Sequence, residues 1–227
     1  MNQLKNKLHI GIILDGNRRF AKRLMKEPWK GHEYGAEKVE ILFDWCKELN
    51  IKELTLYAFS LENFNRPKRE FDFLMNIFEK EFTRLKDDKR LEKNKIKIRF
   101  IGKRELLNKN IQKLMAELEE KTKNYSNYII NFAIAYGGRQ EILDAIKKLK
   151  ESDEEINEEN FQKNLWLSSQ PDFIIRTGGE KRTSNFLPWQ AVYSEWIFLD
   201  KMWPEFTKED LIACIEDFQN RQRRFGK

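Results

Sequence analysis

The chain is poor in the residues that build disulfides, metal clusters and membrane spans. Its 227 residues include two cysteines and two histidines. Cys46 and Cys214 fall on apolar helical faces, which predicts reduced core residues of an intracellular protein and no zinc site. No apolar run approaches ~18 residues, so no membrane span is predicted. No small-residue cleavage site follows the polar residues 1–7, so we expect no signal peptide and a cytoplasmic location.

Familiar nucleotide-binding and catalytic motifs are missing as well. The sequence has no Gly-x4-Gly-Lys-Ser/Thr loop, which argues against a P-loop NTPase. No Gly-x-Gly-x-x-Gly follows a strand-like run, which argues against dinucleotide binding. No Ser/His/Asp order stands out, and both a structural and a functional role stay open for His9.

The chain is rich in charge and in aromatic side chains. Hydrophobic residues make up 40% of it and charged residues 35%, which suits one domain over residues 1–227 with a real core. The net charge of +6 favours anionic partners, among them nucleic acids, diphosphates and membrane surfaces. The 17 Phe and six Trp residues pack the core or line an apolar ligand site.

Alternating strand-like and helical patterns predict an α/β fold. The strand-like runs are Leu8–Leu14, Glu53–Phe59, Ile96–Ile101, Tyr128–Ala135, Asp172–Ile175 and Glu195–Leu199. Apolar residues at helical spacing fill the gaps between these runs. The alternation is typical of a central, mostly parallel six-stranded sheet flanked by helices on both faces.

One predicted helix, Phe71–Leu85, is apolar on more than one face. Besides its main stripe it carries Phe73, Met75 and Ile77. A helix of this kind is either fully buried or borders an apolar cavity.

The first candidate site follows the first strand-like run. Leu8–Leu14 ends at Asp15-Gly16-Asn17-Arg18-Arg19, and a helix is predicted to begin by Phe20. Ligands of open α/β sheets bind where a strand hands over to a helix, and helix N–H groups and arginines favour phosphate. Asp15 can hold Mg²⁺ that also touches phosphate oxygens. The alternative is an Asp-Gly turn with two solvated arginines.

Three further polar clusters follow strands, at residues 59–67, 136–139 and 176–185. Because the carboxyl ends of parallel strands share one edge, we expect all four clusters to converge on a single cleft. The charged residues expected there are Asp15, Arg18, Arg19, Glu62, Arg66, Arg176 and Arg182. Excess arginine with a few carboxylates suits one or two diphosphates with a metal ion.

These residues resemble the cis-prenyltransferases, the family of undecaprenyl diphosphate synthases and their dehydrodolichyl relatives. The matching stretches run in family order over nearly the whole chain: residues 9–21, Gly31-His32-x-x-Gly35, residues 54–67, Ala135–Ile142, residues 176–190, Tyr193-x-Glu195 and Trp203-Pro204-x-Phe206. The resemblance implies a six-stranded α/β domain, a homodimer, and repeated cis addition of isopentenyl diphosphate to an allylic diphosphate.

The resemblance also implies roles for particular residues. Asp15 would bind Mg²⁺ and help the allylic diphosphate leave, with Glu195 of a second subunit sharing the metal. Asn63 takes the position assigned to proton removal. The implied substrate-binding residues are Gly16, Asn17, Arg18, Arg19, Phe20, His32, Ser60, Leu61, Glu62, Phe64, Arg66, Arg176, Arg182, Thr183 and Ser184. Arg224-Phe225-Gly226 resembles a terminal Arg-x-Gly that reaches the isopentenyl site across the dimer.

The departures from the family pattern point to the archaeal branch. Many bacterial members have Gly where Arg18 stands, and Phe20 and Phe64 stand where Trp is frequent. A phosphate-binding arginine is replaced by Pro28, which leaves its role to Lys26 or Lys30. The resemblance implies a farnesyl or geranylgeranyl primer and a long polyprenyl product of the undecaprenyl type, a precursor of a glycosyl carrier lipid. It also allows a peripheral membrane contact for product release.

Two other interpretations fit the sequence less well. Non-catalytic subunits of heteromeric cis-prenyltransferases lack the Asp-Gly-Asn motif, which this chain has at residues 15–17. A nucleic-acid-binding protein would use the positive charge, but the basic residues are dispersed and no recognised binding module is present. We therefore expect no nucleic-acid partner.

Overall fold

The six predicted strands pair into one sheet in the computed structural model, which describes residues 8–221. Each observed strand lies within one residue of its predicted bounds. The strands are β1 His9–Ile13, β2 Glu53–Ser60, β3 Ile96–Ile101, β4 Tyr128–Tyr136, β5 Phe173–Arg176 and β6 Glu195–Phe198. Every neighbouring pair is parallel, so the mostly parallel sheet of the prediction is parallel throughout these residues.

The order of the strands places β1 near the middle of the sheet. The order is β3-β4-β2-β1-β5-β6, so the chain first builds one side of β1 and then crosses to the other. Ile13, at the end of β1, is level with Tyr57 of β2 and with Arg176 of β5. The carboxyl end of β1 is therefore the switch point of the sheet, where open α/β folds bind their ligands.

Helices cover the connections between the strands. They are α1 Asn17–Arg23, α2 Gly31–Glu48, α3 Lys68–Lys86, α4 Lys89–Asn94, α5 Lys109–Thr122, α6 Gly138–Ser152, α7 Glu158–Asn164 and α8 Lys208–Asn220. None of the helices in residues 8–221 combines the length and apolar composition that a bilayer crossing requires. Cys46 and Cys214 are buried and unbridged, and burial raises the pKa of each thiol to about 12.

Helix α1 begins three residues earlier than predicted. Gly16 has a φ of 103°, a left-handed conformation that lets the backbone turn into the helix directly after Asp15. Helix α2 begins at Gly31, so His32 is its second residue. A Cβ at Gly31 would lie 1.9 Å from the carbonyl oxygen of Asn17, so glycine there permits close packing of α2 on α1.

The opposite, amino edge of the sheet holds a buried polar cluster around His9. The Nε2 of His9 lies 2.8 Å from the hydroxyl of Thr55, which also accepts from Asn131. Burial lowers the pKa of His9 below its ordinary 6.5, although Glu53 opposes the shift. His9 therefore has a structural role in the described fold, which resolves the choice that the sequence left open.

Buried histidines make the stability of this protein depend on pH. Burial also lowers the pKa of His32, the other histidine of the chain. The unfolded chain therefore binds more protons than the folded chain below pH 6.5, so the free energy of unfolding decreases as the pH is lowered through this range. We expect a slope approaching about 1.4 kcal/mol per pH unit for each histidine.

Urea unfolding at a series of pH values measures this slope. His9→Gln keeps a polar side chain but removes one titrating group, so its slope below pH 6.5 should be shallower than that of the wild type. Equal slopes in the two proteins would contradict the assignment.

Candidate active site

A polar cleft lies at the carboxyl edge of the sheet, above β1, β2 and β5. It has a volume of about 530 Å³. Its lining comes from the ends of the strands and the segments that follow them: Ile13, Leu14, Asp15, Asn17, His32, Tyr57, Ala58, Phe59, Ser60, Glu62, Asn63, Arg66, Arg176, Arg182, Ser184 and Asn185. Three of the four predicted clusters therefore converge, as the shared edge of parallel strands requires.

The carboxylate of Asp15 meets two arginines at the mouth of β1. Its Oδ2 accepts a hydrogen bond of 2.8 Å from Arg176, whose side chain is almost fully buried. Its Oδ1 accepts from the backbone N–H of Gly16 at 2.6 Å and from Arg19 at 3.2 Å. Asp15 thus has a fixed orientation, with its negative charge against two arginines.

Arg176 connects Asp15 to the loop that follows β5. It donates to the carbonyl oxygen of Arg182 at 2.6 Å and to the hydroxyl of Ser184 at 2.7 Å. Ser184 and Asn185 both have positive φ angles, which turn this loop back over the cleft. The Nε of Arg176 is buried without a hydrogen-bond partner among residues 8–221, so it has a donor to spare for an anion or a water molecule.

A second group of basic side chains gathers on Glu70, a residue that the sequence interpretation missed. Its carboxylate is buried in the first turn of α3 and accepts from Arg66 at 3.0 Å. His32 lies 3.3 Å from the same oxygen, and the Nε of Arg18 lies 3.7 Å from the other. The hydrogen bond with His32 holds the pKa of Glu70 below its ordinary value.

The spacing between Arg66 and Glu70 was only a weak indication that Glu70 belongs to the site. It stands four residues after Arg66, on the same face of the start of a helix, where opposite charges pair. Burial distinguishes it from an ordinary surface ion pair, and burial depends on how α2 and α3 pack.

The predicted proton-removal residue takes part in a local cap. The Oδ1 of Asn63 accepts from the backbone N–H of Ser60 at 3.1 Å, and the hydroxyl of Ser60 accepts from the Asn63 backbone in return. This box starts the short 3₁₀ turn Leu61–Asn65. The amide oxygen is therefore occupied, and the side chain can offer its N–H donors to a ligand.

Several predicted residues lie beside the cleft and not in its lining. Gly16 and Leu61 are absent from the lining. Arg18 pairs with Glu70, which also lies outside the lining, and Arg19 pairs with Asp15 and with Glu180. Phe20 packs edge-on against Tyr34, and Phe64 packs against Phe59 and Phe71. Thr183 is exposed, and its carbonyl oxygen accepts from Phe186.

The cluster at residues 136–139 does not line the cleft, contrary to the prediction. It supports the loop after β5 instead, because the backbone N–H groups of Gly138 and Arg139 donate to Asn185 at 2.9 Å each. Tyr136 is fully buried and hydrogen-bonds to Glu141. Three of the four predicted clusters therefore line the cleft, and the cluster at residues 136–139 contacts the loop after β5, which lines it.

Glu195 stands at the amino end of β6, away from Asp15. It pairs in register with Phe173, the first residue of β5, whereas Arg176 at the other end contacts Asp15. Its carboxylate accepts from Arg221 at 2.9 Å. Within one chain these two carboxylates are not brought together. The predicted Arg224-Phe225-Gly226 motif lies outside the described residues.

Neither lysine considered as a substitute for the missing arginine lines the polar cleft. Lys26 hydrogen-bonds to the hydroxyl of Tyr34 and lies over its ring. Lys30 ends the 3₁₀ turn that Pro28 begins.

An apolar cleft opens from the polar one and runs between α2 and α3. The two share Leu14, Asn17, His32 and Ala58 as lining residues. Its walls are mostly aliphatic and aromatic: Val39 and Phe43 of α2, Leu74, Ile77, Phe78, Phe82 and Leu85 of α3, Leu56 of β2 and Phe132 of β4. Helix α3 therefore borders an apolar cavity, one of the two explanations for its composition.

The donors in the polar cleft fit Mg²⁺ held jointly with a phosphorylated ligand. Residues 8–221 contain no group of three or more His, Cys, Asp or Glu side chains that could hold a metal unaided. Mg²⁺ is commonly bound by one or two carboxylates together with substrate phosphates. Asp15 supplies such a carboxylate beside arginines suited to the same phosphates.

Comparison with known proteins agrees with this architecture. The family model of undecaprenyl diphosphate synthases matches residues 13–226. A tritrans,polycis-undecaprenyl-diphosphate synthase (geranylgeranyl-diphosphate specific) of Thermococcus kodakarensis is 47% identical, over 96% of this chain and 86% of the relative. The protein with the same description from Methanocaldococcus jannaschii is 48% identical, over 96% of this chain and 82% of the relative.

Solved structures have the same fold. The crystal structure of a probable undecaprenyl diphosphate synthase from Campylobacter jejuni has a TM-score of 0.84 at 37% identity, covering 98% of this chain and 100% of that one. Lavandulyl diphosphate synthase from Lavandula x intermedia, in complex with dimethylallyl diphosphate, has a TM-score of 0.88 at 31% identity, covering 96% and 98%.

The comparisons identify the class of this protein as a prenyltransferase, with which the parallel sheet, the arginine-rich cleft at its switch point and the adjoining apolar cleft agree. With the family model matched over residues 13–226 and archaeal relatives near half identical, the chain belongs to the cis-prenyltransferase family of undecaprenyl diphosphate synthases.

The contacts of Glu70 predict a stability effect. Glu70→Gln keeps the shape of the side chain but leaves Arg66 and His32 without their buried anion. We expect the free energy of unfolding to fall by about 2–3 kcal/mol at neutral pH, measured by urea denaturation. Because the pKa of Glu70 is lowered, the difference should shrink as the pH falls below its ordinary 4.5.

Asp72→Asn on the same helix is the matched control. Asp72 is half exposed and, among residues 8–221, pairs with Lys68 alone, so its replacement should change stability by less than about 0.5 kcal/mol. An equal loss in both variants would contradict a buried role for Glu70.

Proposed function

We propose that this protein condenses isopentenyl diphosphate repeatedly, in cis geometry, onto geranylgeranyl diphosphate. The product is a long polyprenyl diphosphate of the undecaprenyl type, a precursor of a glycosyl carrier lipid. The archaeal relatives named above carry the description geranylgeranyl-diphosphate specific, which favours this primer over farnesyl diphosphate.

The observation that carries the proposal is that a basic polar cleft opens directly into an apolar one. Leu14, Asn17, His32 and Ala58 line both, so a ligand can place a diphosphate among the arginines and its hydrocarbon tail between α2 and α3. A nucleotide or a sugar phosphate has no tail to fill the second cleft. A prenyl diphosphate matches both halves.

Two groups of basic side chains suit two diphosphates. Arg18, His32 and Arg66 surround Glu70 and suit the allylic diphosphate, whose tail then enters the adjoining apolar cleft. Arg176, Arg182 and Ser184 form the other wall and suit isopentenyl diphosphate. Holding both reactants in one cleft supplies the proximity that a condensation between them needs.

Each condensation moves charge onto the leaving diphosphate. The allylic carbon–oxygen bond breaks, the diphosphate leaves with the electron pair, and the same carbon bonds to isopentenyl diphosphate, which then loses a proton. Arginines fixed in the cleft stabilise the charge on the leaving group. Bound Mg²⁺, held by Asp15 and phosphate oxygens, would neutralise part of that charge.

The proton requires an acceptor other than the amide of Asn63. An amide is a poor base, and its oxygen here accepts the N–H of Ser60. Asn63 would instead orient a diphosphate oxygen with its N–H donors, and that oxygen takes the proton.

The apolar cleft would remove the growing chain from water. Each added five-carbon unit that leaves water contributes roughly 3–4 kcal/mol at about 0.8 kcal/mol per carbon. Helix α3 and Phe132 of β4 form the walls that receive the chain.

A homodimer completes the proposed metal site. Glu195 lies far from Asp15 within one chain, so only Glu195 of a second copy could share the metal. A peripheral contact of the enzyme with the membrane would receive the lipid product.

The function is tested by incubating the protein with labelled isopentenyl diphosphate and either farnesyl or geranylgeranyl diphosphate. We expect label in long cis-polyprenyl products, faster with geranylgeranyl diphosphate, and lost when EDTA removes Mg²⁺. Absence of extension with either primer would overturn the proposal.

Asp15→Ala tests the role of the carboxylate. Turnover should fall by about 10³-fold or more, because the leaving group loses its metal-bearing partner. Binding of an unreactive allylic diphosphate analogue, measured by calorimetry, should persist because the arginines remain. Asp153→Asn, on the surface after α6, should behave like the wild type. Near-normal turnover in Asp15→Ala would refute the mechanism.

A further inference from the structure

The end of helix α1 carries apolar side chains that lie in solvent. Met25 is 97% exposed, and Leu24 beside it is 44% exposed. Two backbone hydrogen bonds close the helix here: Met25 donates to the carbonyl oxygen of Lys22 at 3.0 Å, and Lys26 donates to that of Ala21 at 2.9 Å. Met25 therefore stands at the tip of a well-defined turn, almost wholly in contact with water.

The backbone at this tip is one that methionine rarely adopts. The φ of Met25 is 54°, in the left-handed region that favours glycine or asparagine directly after a helix. Methionine at this position strains the turn, and its exposure shows that it gains almost no packing within the fold. Its apolar surface is therefore available to a partner outside the chain.

Basic side chains surround the tip. Residues 18–30 contain six Lys or Arg and one acidic residue, Glu27, a net charge of +5 against +6 for the whole chain. The three arginines of this segment pair with carboxylates. Its three lysines are exposed and pair with no carboxylate in the part of the chain that the structure describes. We define the α1 corner as Lys22, Leu24, Met25, Lys26 and Lys30.

An exposed apolar residue is not unusual by itself, and Ile156 provides a contrast. It is 79% exposed, but residues 153–159 around it include five acidic and no basic side chains. An anionic surface would repel that segment and attract the α1 corner. The corner differs in combining an apolar tip with unpaired positive charge.

An anionic lipid bilayer matches both features of the corner. Its headgroups attract lysines, and the region beneath them accepts apolar side chains such as Leu24 and Met25. A nucleic acid would attract the lysines but would leave Met25 in water. Helix α1 begins at Asn17 in the lining of the polar cleft and its seven residues span about 10 Å, so a docked corner would hold that cleft near the bilayer.

We propose that the α1 corner docks this protein on anionic lipid bilayers. Leu24 and Met25 enter the interface, and the three lysines lie against the headgroups. The use of this contact, which is to pass a long prenyl product into the bilayer, rests on the proposed function. The binding itself does not depend on prenyl transfer, so the two can be tested separately.

Sedimentation of the full chain with lipid vesicles tests the docking. One set of vesicles contains phosphatidylglycerol and phosphatidylcholine in equal parts, and the other contains phosphatidylcholine alone. We expect binding to the first set only, and its loss when the ionic strength rises from about 0.01 M to about 1 M. Equal binding to both sets, or binding to neither, would overturn the proposal.

Met25→Asn removes the apolar tip and suits the left-handed turn. Because asparagine tolerates this backbone, the urea midpoint of the variant should not fall below that of the wild type. We expect its affinity for the anionic vesicles to fall about tenfold. Ile156→Asn is the matched control and should bind like the wild type. An unchanged affinity in Met25→Asn, or an equal loss in both variants, would contradict the docking surface.

The lysines are tested by the double variant Lys22→Gln with Lys30→Gln. Each basic residue near an anionic bilayer contributes about fivefold in affinity, so we expect a loss of about 25-fold at low salt. Lys89→Gln with Lys109→Gln changes the net charge equally, at exposed first residues of α4 and α5. That control should keep most of the affinity, and an equal loss there would show a response to net charge alone and overturn the assignment.

The remaining outcomes separate the docking surface from its alternatives. If single-stranded RNA binds as tightly as the anionic vesicles and Met25→Asn weakens neither, the corner binds nucleic acid and the proposal is wrong. A protein that docks on vesicles as described but extends no primer overturns the proposed function alone. One that elongates geranylgeranyl diphosphate but does not bind anionic vesicles overturns the docking surface alone.

Discussion

The contact between Arg176 and Asp15 is the interaction on which the rest of the site depends. It joins the carboxyl ends of β1 and β5, which are neighbours at the switch point of the sheet. The strand that follows β1 in the chain lies on one side of this pair, and the strand that follows β5 lies on the other. Because Arg176 is nearly fully buried, its charge needs the carboxylate, and the same guanidinium also fixes the loop at Arg182 and Ser184. This ion pair therefore fixes Asp15, the proposed metal ligand, relative to the loop that we propose binds isopentenyl diphosphate.

The sheet could be predicted from the sequence because each of its strands has an apolar core. β1 is buried along its whole length, and its continuous apolar run identifies a central parallel strand. The helix starts were predicted less well. Apolar periodicity begins at Phe20, but α1 begins at Asn17 because the left-handed Gly16 turns the chain early. Apolar periodicity indicates which residues of a helix face the core. The residue at which α1 begins depends instead on the backbone conformation of Gly16, which periodicity does not show.

Site residues that directly follow strands could be predicted from their order in the chain. Residues whose position depends on the packing of helices could not. The shared edge of parallel strands brought Asp15, Arg66 and Arg176 together as expected. No sequence pattern shows that Glu70 is buried, because its burial results from the packing of α2 against α3. The cluster at residues 136–139 was misplaced for a similar reason: its N–H groups face Asn185 rather than the cleft.

The departure at Pro28 also finds a physical account in the arrangement of charge. Pro28 begins a 3₁₀ turn, where its fixed φ is favourable, and it contributes no cation. Arg18, which stands where many bacterial relatives have glycine, instead brings its guanidinium to Glu70 beside His32 and Arg66. A diphosphate responds to the total positive charge around it and to the direction of the donors, not to the segment that supplies them. In the proposed function, Arg18 would supply beside Glu70 the positive charge that position 28 lacks.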